Sequence, residues 1–287
     1  MHPEWWAERA RAAAPGIPSP TMVHILRRLR WLVRLAFRPE LTGVENLPST
    51  GAYLLVANHS GAIAAAELSS FAICYLDQVG ANRRLAAMAH PFAFHFWPIS
   101  YVVRGLGAIP STARAVETTL TQGVPVLLFP GGDHEVLRPV WQASRVDFAQ
   151  RRGFLRLAAK SNVPIVPMGI SGSHFTAPIL WRSRWILPYL LITPRLVGVK
   201  RAPLTVLGLL GAIAIASLPL SPALKLLCAW AWLASPFMLL PWIPWKVRIR
   251  IGKSIPAEEL FGKGPSEAGL SAAYKRVESE VERLVRS

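Results

Sequence analysis

The sequence predicts an α/β fold. Its centre is a largely parallel open sheet flanked by helices, with an N-terminal amphipathic helix and a C-terminal hydrophobic helical hairpin. Three observations predict it. Short runs rich in Val, Leu and Ile at 52–57, 85–88, 125–129 and 164–168 alternate with helical segments at 61–77, 91–104, 111–122 and 146–161. That alternation implies parallel strands with helices on both faces. Residues 22–38, MVHILRRLRWLVRLAFR, set Arg27, Arg30, Arg34 and Arg38 on one stripe, and Leu26, Leu29, Leu32, Val33, Ala36 and Phe37 opposite. Between Arg201 and Lys246 the only charge is Lys225.

Each segment has its reason. Residues 1–39 read as a basic amphipathic segment for a lipid interface. The first twenty residues contain Glu4, Arg9, Arg11 and four prolines but no apolar core of a secretory signal, so the folded part is expected in the cytoplasm. Residues 40–200 hold the strand–helix core. Residues 201–246 are apolar and interrupted by six prolines. One membrane span takes about 20 residues, so two fit. Val247-Arg248-Ile249-Arg250-Ile251 then alternates as a strand. If that strand joins the same sheet, the segment must leave and return on one side, as a hairpin that is re-entrant or spanning. Lys200, Arg201, Lys246, Arg248 and Arg250 at its ends agree with a cytoplasmic side. Residues 247–287 supply the last strand and a charged helix at 270–286, whose apolar edge is Tyr274, Val277, Val281 and Leu284.

Composition narrows the class. Lys plus Arg outnumber Asp plus Glu by 32 to 16, giving +16, yet 52% of residues are hydrophobic and only 17% charged. A nucleic-acid binder of that basicity is far more polar, so no nucleic-acid partner is expected. Basic and apolar together fit the surface of an anionic membrane, with membrane lipids as partners. Cys74 and Cys228 stand in apolar surroundings and read as free thiols of a reducing compartment. There is no zinc spacing and no Gly-x4-Gly-Lys phosphate loop. Gly169-Ile170-Ser171-Gly172-Ser173 misses a nucleophile elbow by one residue, so Ser171 is set aside. His90 and His95 are too isolated for metal ligands, and nothing makes His174 catalytic.

Asn58-His59-Ser60-Gly61 follows the buried run Tyr53–Ala57, at a strand end where open α/β sheets place chemistry. Val126-Leu127-Leu128-Phe129-Pro130-Gly131-Gly132 is a second buried run, closed by a turn. Gly105–Arg114 and Asn162–Met168 add two more blocks in order. Together these resemble the PlsC-like glycerolipid acyltransferase family, in its bacterial branch with a His-Ser-Gly motif, over roughly residues 40–175. A weaker echo lies at Ile251–Pro256. The resemblance implies the glycerol-3-phosphate acyltransferase-like layout. It also implies a membrane-bound enzyme moving a fatty acyl chain from acyl-CoA or acyl-carrier protein to the hydroxyl of a lysophospholipid or other glycerolipid. His59 is then the general base, a task suited to histidine, the side chain that ordinarily takes up a proton near neutral pH. No metal and no further cofactor is expected, and the active site would sit on the cytoplasmic side of the membrane.

The sequence departs from the family pattern in two places. Where His-x4-Asp would put aspartate stands Ala64; the nearest carboxylate is Glu67. Three extra residues are almost one helical turn, so Glu67 reaches the ring if its helix starts late; otherwise His59 works without a carboxylate. In the third block, Gly131 replaces glutamate and the usual arginine is missing, as in the Pro-Gly-Gly-x-x-Glu variant of the diacylglycerol-acyltransferase-like branch. Asn58, Ser60, Gly61, Phe129, Pro130, Gly131 and Gly132 are expected around the substrate, with Arg114, Glu135 and Arg138 as headgroup contacts. The lost arginine weakens any claim that the acceptor carries a phosphate. An inactive lipid-binding scaffold and a lipid hydrolase are the alternatives.

Overall fold

A computed structural model describes residues 15–191, 201–262, 264 and 266–287; Glu4, Arg9, Arg11 and Lys200 lie outside these. The first helix, α1 (Pro20–Phe37), starts at Ser19, whose Oγ accepts the Met22 N–H at 3.2 Å, with Pro20 in the first turn. It ends where Arg38 turns left-handed. The expected apolar stripe divides in two. Val33 and Phe37 are buried against the sheet, with Leu26 and Ala36 packed beside them. Leu29, Trp31, Leu32 and Leu35 face outward, Trp31 at 66% and Leu35 at 68% exposure. Arg30 and Arg34 both pair with Asp77 of the next helix, so half of the arginine stripe ties α1 to its own domain.

The core elements then follow: β1 (Glu40–Thr42), β2 (Leu54–Ala57), α2 (Ala65–Gln78), β3 (Ala86–Ala89), α3 (Ile99–Gly105), β4 (Ile109–Pro110), α4 (Ala113–Thr121), β5 (Val126–Leu128), α5 (Asp133–Val136), α6 (Gly153–Ser161) and β6 (Ile165–Ser171). With β9 (Arg248–Ile251) they build a seven-stranded sheet ordered β1-β9-β6-β2-β5-β3-β4. β2 lies parallel to β5 on one side, Leu54 opposite Val126, and to β6 on the other, Leu54 opposite Ile165. β9 runs antiparallel to β6, so the sheet is mixed at that edge. Alternate residues of one strand feed opposite cores. Leu54 and Val56 join α4, α6 and the C-terminal helix α11 (Glu267–Arg286). Leu55 and Ala57 join α1 and α2. Burial on both faces explains the unbroken apolar runs of the central strands.

Three helices differ from the sequence expectation. The segment 91–104 is interrupted at Pro98, leaving a 3₁₀ turn and α3. Residues 146–152 are loop, because Asp147 Oδ1 captures the Ala149 N–H at 2.9 Å and Ala149 and Gln150 turn left-handed. α2 starts four residues late. The alternation also gave no hint of β1, too short for a period to show, nor of a second, two-stranded sheet. This pairs β7 (Ile179–Ser183) antiparallel with β8 (Ala202–Thr205), and α7 (Ile186–Leu191) lies between them in sequence.

Beyond β8, two apolar helices, α8 (Val206–Ser217) and α9 (Pro222–Ala234), pack face to face. Their contact is close because residue 211 is glycine: a Cβ there would lie 2.2 Å from Trp232 Nε1. Trp232 Nε1–H donates to Gly208 O at 3.0 Å. At 1.5 Å per residue they are about 18 and 20 Å long, against a hydrocarbon core of about 30 Å. No helix among the described residues is long and apolar enough to cross a membrane. A short α10 (Ala257–Phe261) precedes α11, which lies on β6 over Gly169, where a Cβ would meet Leu284 Cβ at 2.5 Å.

Candidate active site

The site forms where β2, β5 and β6 end at their carboxyl edges, the crevice side of an open α/β sheet. Leaving β2, the chain is held by Asn58, whose side-chain amide donates to Ile170 O at 2.8 Å and accepts the Ile170 N–H at 2.7 Å. Asn58 thus clamps β2 to β6 with both ends of its amide and is fully buried, rather than facing a substrate. Gly61, Ala62 and Ala64 then all turn left-handed, with φ of 76°, 60° and 61°. Such a conformation costs about 1–2 kcal/mol at each alanine, and Ala62 N–H donating to Val136 O at 3.1 Å helps hold it. Only glycine fits at 61, where a Cβ would lie 3.0 Å from Ser173 O. The turn delays α2 to Ala65 and sets Glu67 in its first turn.

Glu67 is completely buried and closes back on the turn. Its Oε1 is hydrogen-bonded to His59 Nδ1. Its Oε2 accepts the Ser60 N–H at 2.9 Å and the Ser60 hydroxyl at 2.7 Å. Because Ser60 gives its proton to the carboxylate, Ser173 Oγ, in contact with Ser60 Oγ, must donate in turn. A directed chain Ser173→Ser60→Glu67 therefore stands behind the imidazole. A carboxylate only accepts, so Nδ1 carries the proton and Nε2 is left with a free lone pair. The ring stacks on Phe129 with centroids 4.4 Å apart, and 18% of the side chain is exposed.

The loop after β5 supports the same histidine from the other side. Glu135 Oε2 accepts the His59 backbone N–H at 3.0 Å; Oε1 takes the Asp147 N–H at 3.1 Å and Arg138 Nη1 at 3.3 Å. Glu135 and Arg138, expected to touch a headgroup, are instead an interior ion pair, 0% and 1% exposed. Burial pushes the Glu135 carboxyl up to about 7, against the opposing pull of Arg138 and the two backbone N–H groups. Gly131 explains itself here: a Cβ would sit 2.3 Å from the Glu135 carboxylate, which fills the space a side chain at 131 would need. Gly132, with φ of 48°, leaves room for Arg151, whose Nη1 donates to Pro130 O at 3.2 Å and Gly131 O at 2.9 Å.

Arg114 is not brought to this place. It is exposed at the start of α4, beyond β4, which stands three strand positions from β2. The residue that sequence reasoning left out is His174. It is 3% exposed, its Nε2 has no partner, and burial with the nearby Arg138 and His59 charges lowers its pKa to about 3. No spacing pointed to it; only the 3₁₀ turn after β6 carries it inward. An apolar cavity of about 160 Å³ is lined by Leu68, Phe71 and Tyr75 of α2 and by Met88, Ala89 and Leu127 among others; neither His59 nor Glu67 is part of its lining. No group of three His, Cys, Asp or Glu among the described residues suits a metal ion.

Part of the chain is similar to known proteins. A family model described as Acyltransferase matches residues 38–171. An uncharacterized protein of Mycobacterium tuberculosis is 31% identical over 171 residues, 58% of this chain and 48% of its own length. Phytyl ester synthase 2, chloroplastic, of Arabidopsis thaliana is 30% identical over 147 residues, 49% of this chain and 20% of its own. The chain thus spans about half the length of the mycobacterial relative and a fifth of the plant one. Among solved structures, the 1-acyl-sn-glycerophosphate (LPA) acyltransferase PlsC from Thermotoga maritima superposes with a TM-score of 0.52 at 17% identity. That match covers 92% of this chain and 78% of that one, which establishes the shared fold.

Proposed function

Residues 38–171 being a domain of the acyltransferase family, we propose that the chain transfers a fatty acyl group from a thioester to the hydroxyl of a lipid. The observation that carries this reading is the His59–Glu67 pair at the end of β2, with Nδ1 engaged and Nε2 free. His59 Nε2 takes the proton of the acceptor hydroxyl, and the oxygen attacks the thioester carbonyl carbon. The tetrahedral intermediate collapses, the C–S bond breaks, and the Nε2 proton passes to the leaving sulfur. Glu67 holds the ring's tautomer and stabilises the imidazolium, as the carboxylate of a hydrolytic triad does. The donor is acyl-CoA or acyl-carrier protein, and the reaction needs neither metal nor redox cofactor.

The cavity against α2 is apolar enough to take part of an acyl chain. Glu135 and the 131–132 glycines shape the histidine's support, leaving Phe129 and Pro130 as the substrate-facing part of that loop. The reading also takes the chain to a membrane surface on its cytoplasmic side. Supporting this are the net +16 charge, the outward Trp31 and Leu35 of α1, and Leu226 and Leu227 of α9, which are 74% and 59% exposed.

The test is acyl transfer from labelled acyl-CoA to a panel of lysophospholipids and neutral lipids. His59→Ala is expected to lower turnover by about 10²–10⁴-fold, and Glu67→Gln to approach it with the fold retained by circular dichroism. Undiminished transfer by His59→Ala would remove the mechanism. Release of free fatty acid without any acceptor would favour a hydrolase, and lipid binding without turnover would favour a scaffold.

A further inference from the structure

Asp133 lies in the first turn after the Pro130-Gly131-Gly132 loop, two residues from the Glu135 that supports His59. Two arginines from outside that loop meet it, and a third binds the backbone of the next residue. Arg151 Nη2 meets Asp133 Oδ1 at 2.8 Å, and Arg201 Nη1 meets Oδ2 at 2.8 Å. Arg182 donates to the His134 carbonyl oxygen. Arg182 arrives on β7 and Arg201 directly before β8, in the small second sheet lying beyond the residues that the family model matches. Cationic charge absent from the loop's own sequence is thus supplied from elsewhere, and the two guanidiniums that meet Asp133 are already paired. Asp133 spans two guanidiniums, one per carboxylate oxygen. The other Arg151 nitrogen is spent on the carbonyls of Pro130 and Gly131. Asp133 is 23% exposed in its side chain and its carboxyl lies below the usual range: the Arg151 and Arg201 contacts outweigh partial burial. Arg182, which contacts a carbonyl and not a carboxylate, and Arg145, exposed near Asp147, are further cations of this rim.

We propose that Asp133 is a built-in anion occupying the cationic rim of the site, so that the acceptor is an uncharged lipid hydroxyl and not a phosphate-bearing one. A phosphate seated between Arg151 and Arg201 would displace a carboxylate that already satisfies both, and an unpaired Asp133 would then face it as a like charge. A neutral long-chain alcohol or diacylglycerol meets no such competition. The inference rests on the proposed acyl transfer for its substrate but not for its geometry.

The experiment has two arms. In the first, kcat/KM with one acyl-CoA is measured for diacylglycerol, a long-chain alcohol and lysophosphatidic acid. The wild type is expected to favour the neutral acceptors by at least about tenfold, and Asp133→Asn to shrink that ratio by at least about tenfold. In the second, binding of inorganic phosphate is measured by calorimetry on the His59→Ala protein with and without Asp133→Asn. Phosphate is expected to bind only when Asp133 is neutralised. Asp133→Ser is run alongside, and melting temperatures confirm that the variants are folded. A wild type that prefers lysophosphatidic acid, or phosphate binding that ignores Asp133, overturns the proposal. Failure of every acceptor sinks the acyl-transfer reading alone, because the calorimetric arm still decides whether Asp133 guards an anion site.

Discussion

His174 shows how a single interior side chain reaches the whole chain's pH response. Its folded pKa is depressed to about 3 by burial and by the neighbouring Arg138 and His59 charges, whereas an unfolded histidine titrates near 6.5. Between those values the unfolded chain binds the extra proton, so stability is intact above about pH 6.5 and is lost as pH falls toward 3. A shift of that size amounts to up to about 5 kcal/mol. The raised Glu135 carboxyl acts in the opposite sense over part of this range, so urea titrations from pH 7 to 4 should show the wild-type midpoint falling relative to that of His174→Leu; parallel curves would refute it. Legibility at this scale followed sequence distance. His59 and Glu67 were readable because eight residues and a turn link them. Asn58–Ile170, Ser60–Ser173 and Asp133–Arg201 join positions 68 to 113 residues apart. Nothing local announces such pairs. Glu135 and Arg138 looked like headgroup contacts because charged residues in a loop are usually exposed; here each supplies the other's counter-charge.

Among the elements, the α8–α9 hairpin has the clearest mechanical dependence. Its helices meet across Gly211, with Trp232 filling the place of a side chain. Gly211→Val is expected to part them, break the Trp232–Gly208 hydrogen bond and cost about 1–3 kcal/mol. Near-UV circular dichroism and tryptophan emission would report the released indole, and an unchanged spectrum would argue against this packing. The central strands were legible to within three residues because burial on both faces leaves an unmistakable apolar run. The late start of α2 was legible only as a condition, since two left-handed alanines carry no signature of their own. β1 and the β7–β8 pair were not legible: three to five residues with mixed burial give no period to count.

Across the whole molecule, the C-terminal helix closes the fold. Tyr274, Val277, Val281, Leu284 and Val285 of α11 are buried in or beside the sheet's core. Its backbone comes so near β6 that Gly169 has no space for a Cβ, the Leu284 carbonyl carbon lying 2.6 Å from where one would stand. Gly169→Val should destabilise the protein by several kcal/mol, of the size that overpacking and backbone displacement reach. Thermal unfolding would measure it, and a melting temperature within about a degree of wild type would mean α11 is less essential than its contacts imply.

The sheet order has one more consequence. β9 separates β1 from β6, so the strand formed near residue 40 has no neighbour until residues 248–251 exist. During synthesis the ribosome releases the apolar hairpin of α8 and α9 before that gap can be filled. For some seconds, at about 5–20 residues per second, a nascent chain carries its greasiest segment ahead of its last strand. A bilayer or a chaperone that receives the hairpin first would leave the gap beside β6 free to close afterwards, so that the first strand made joins the sheet only together with the last.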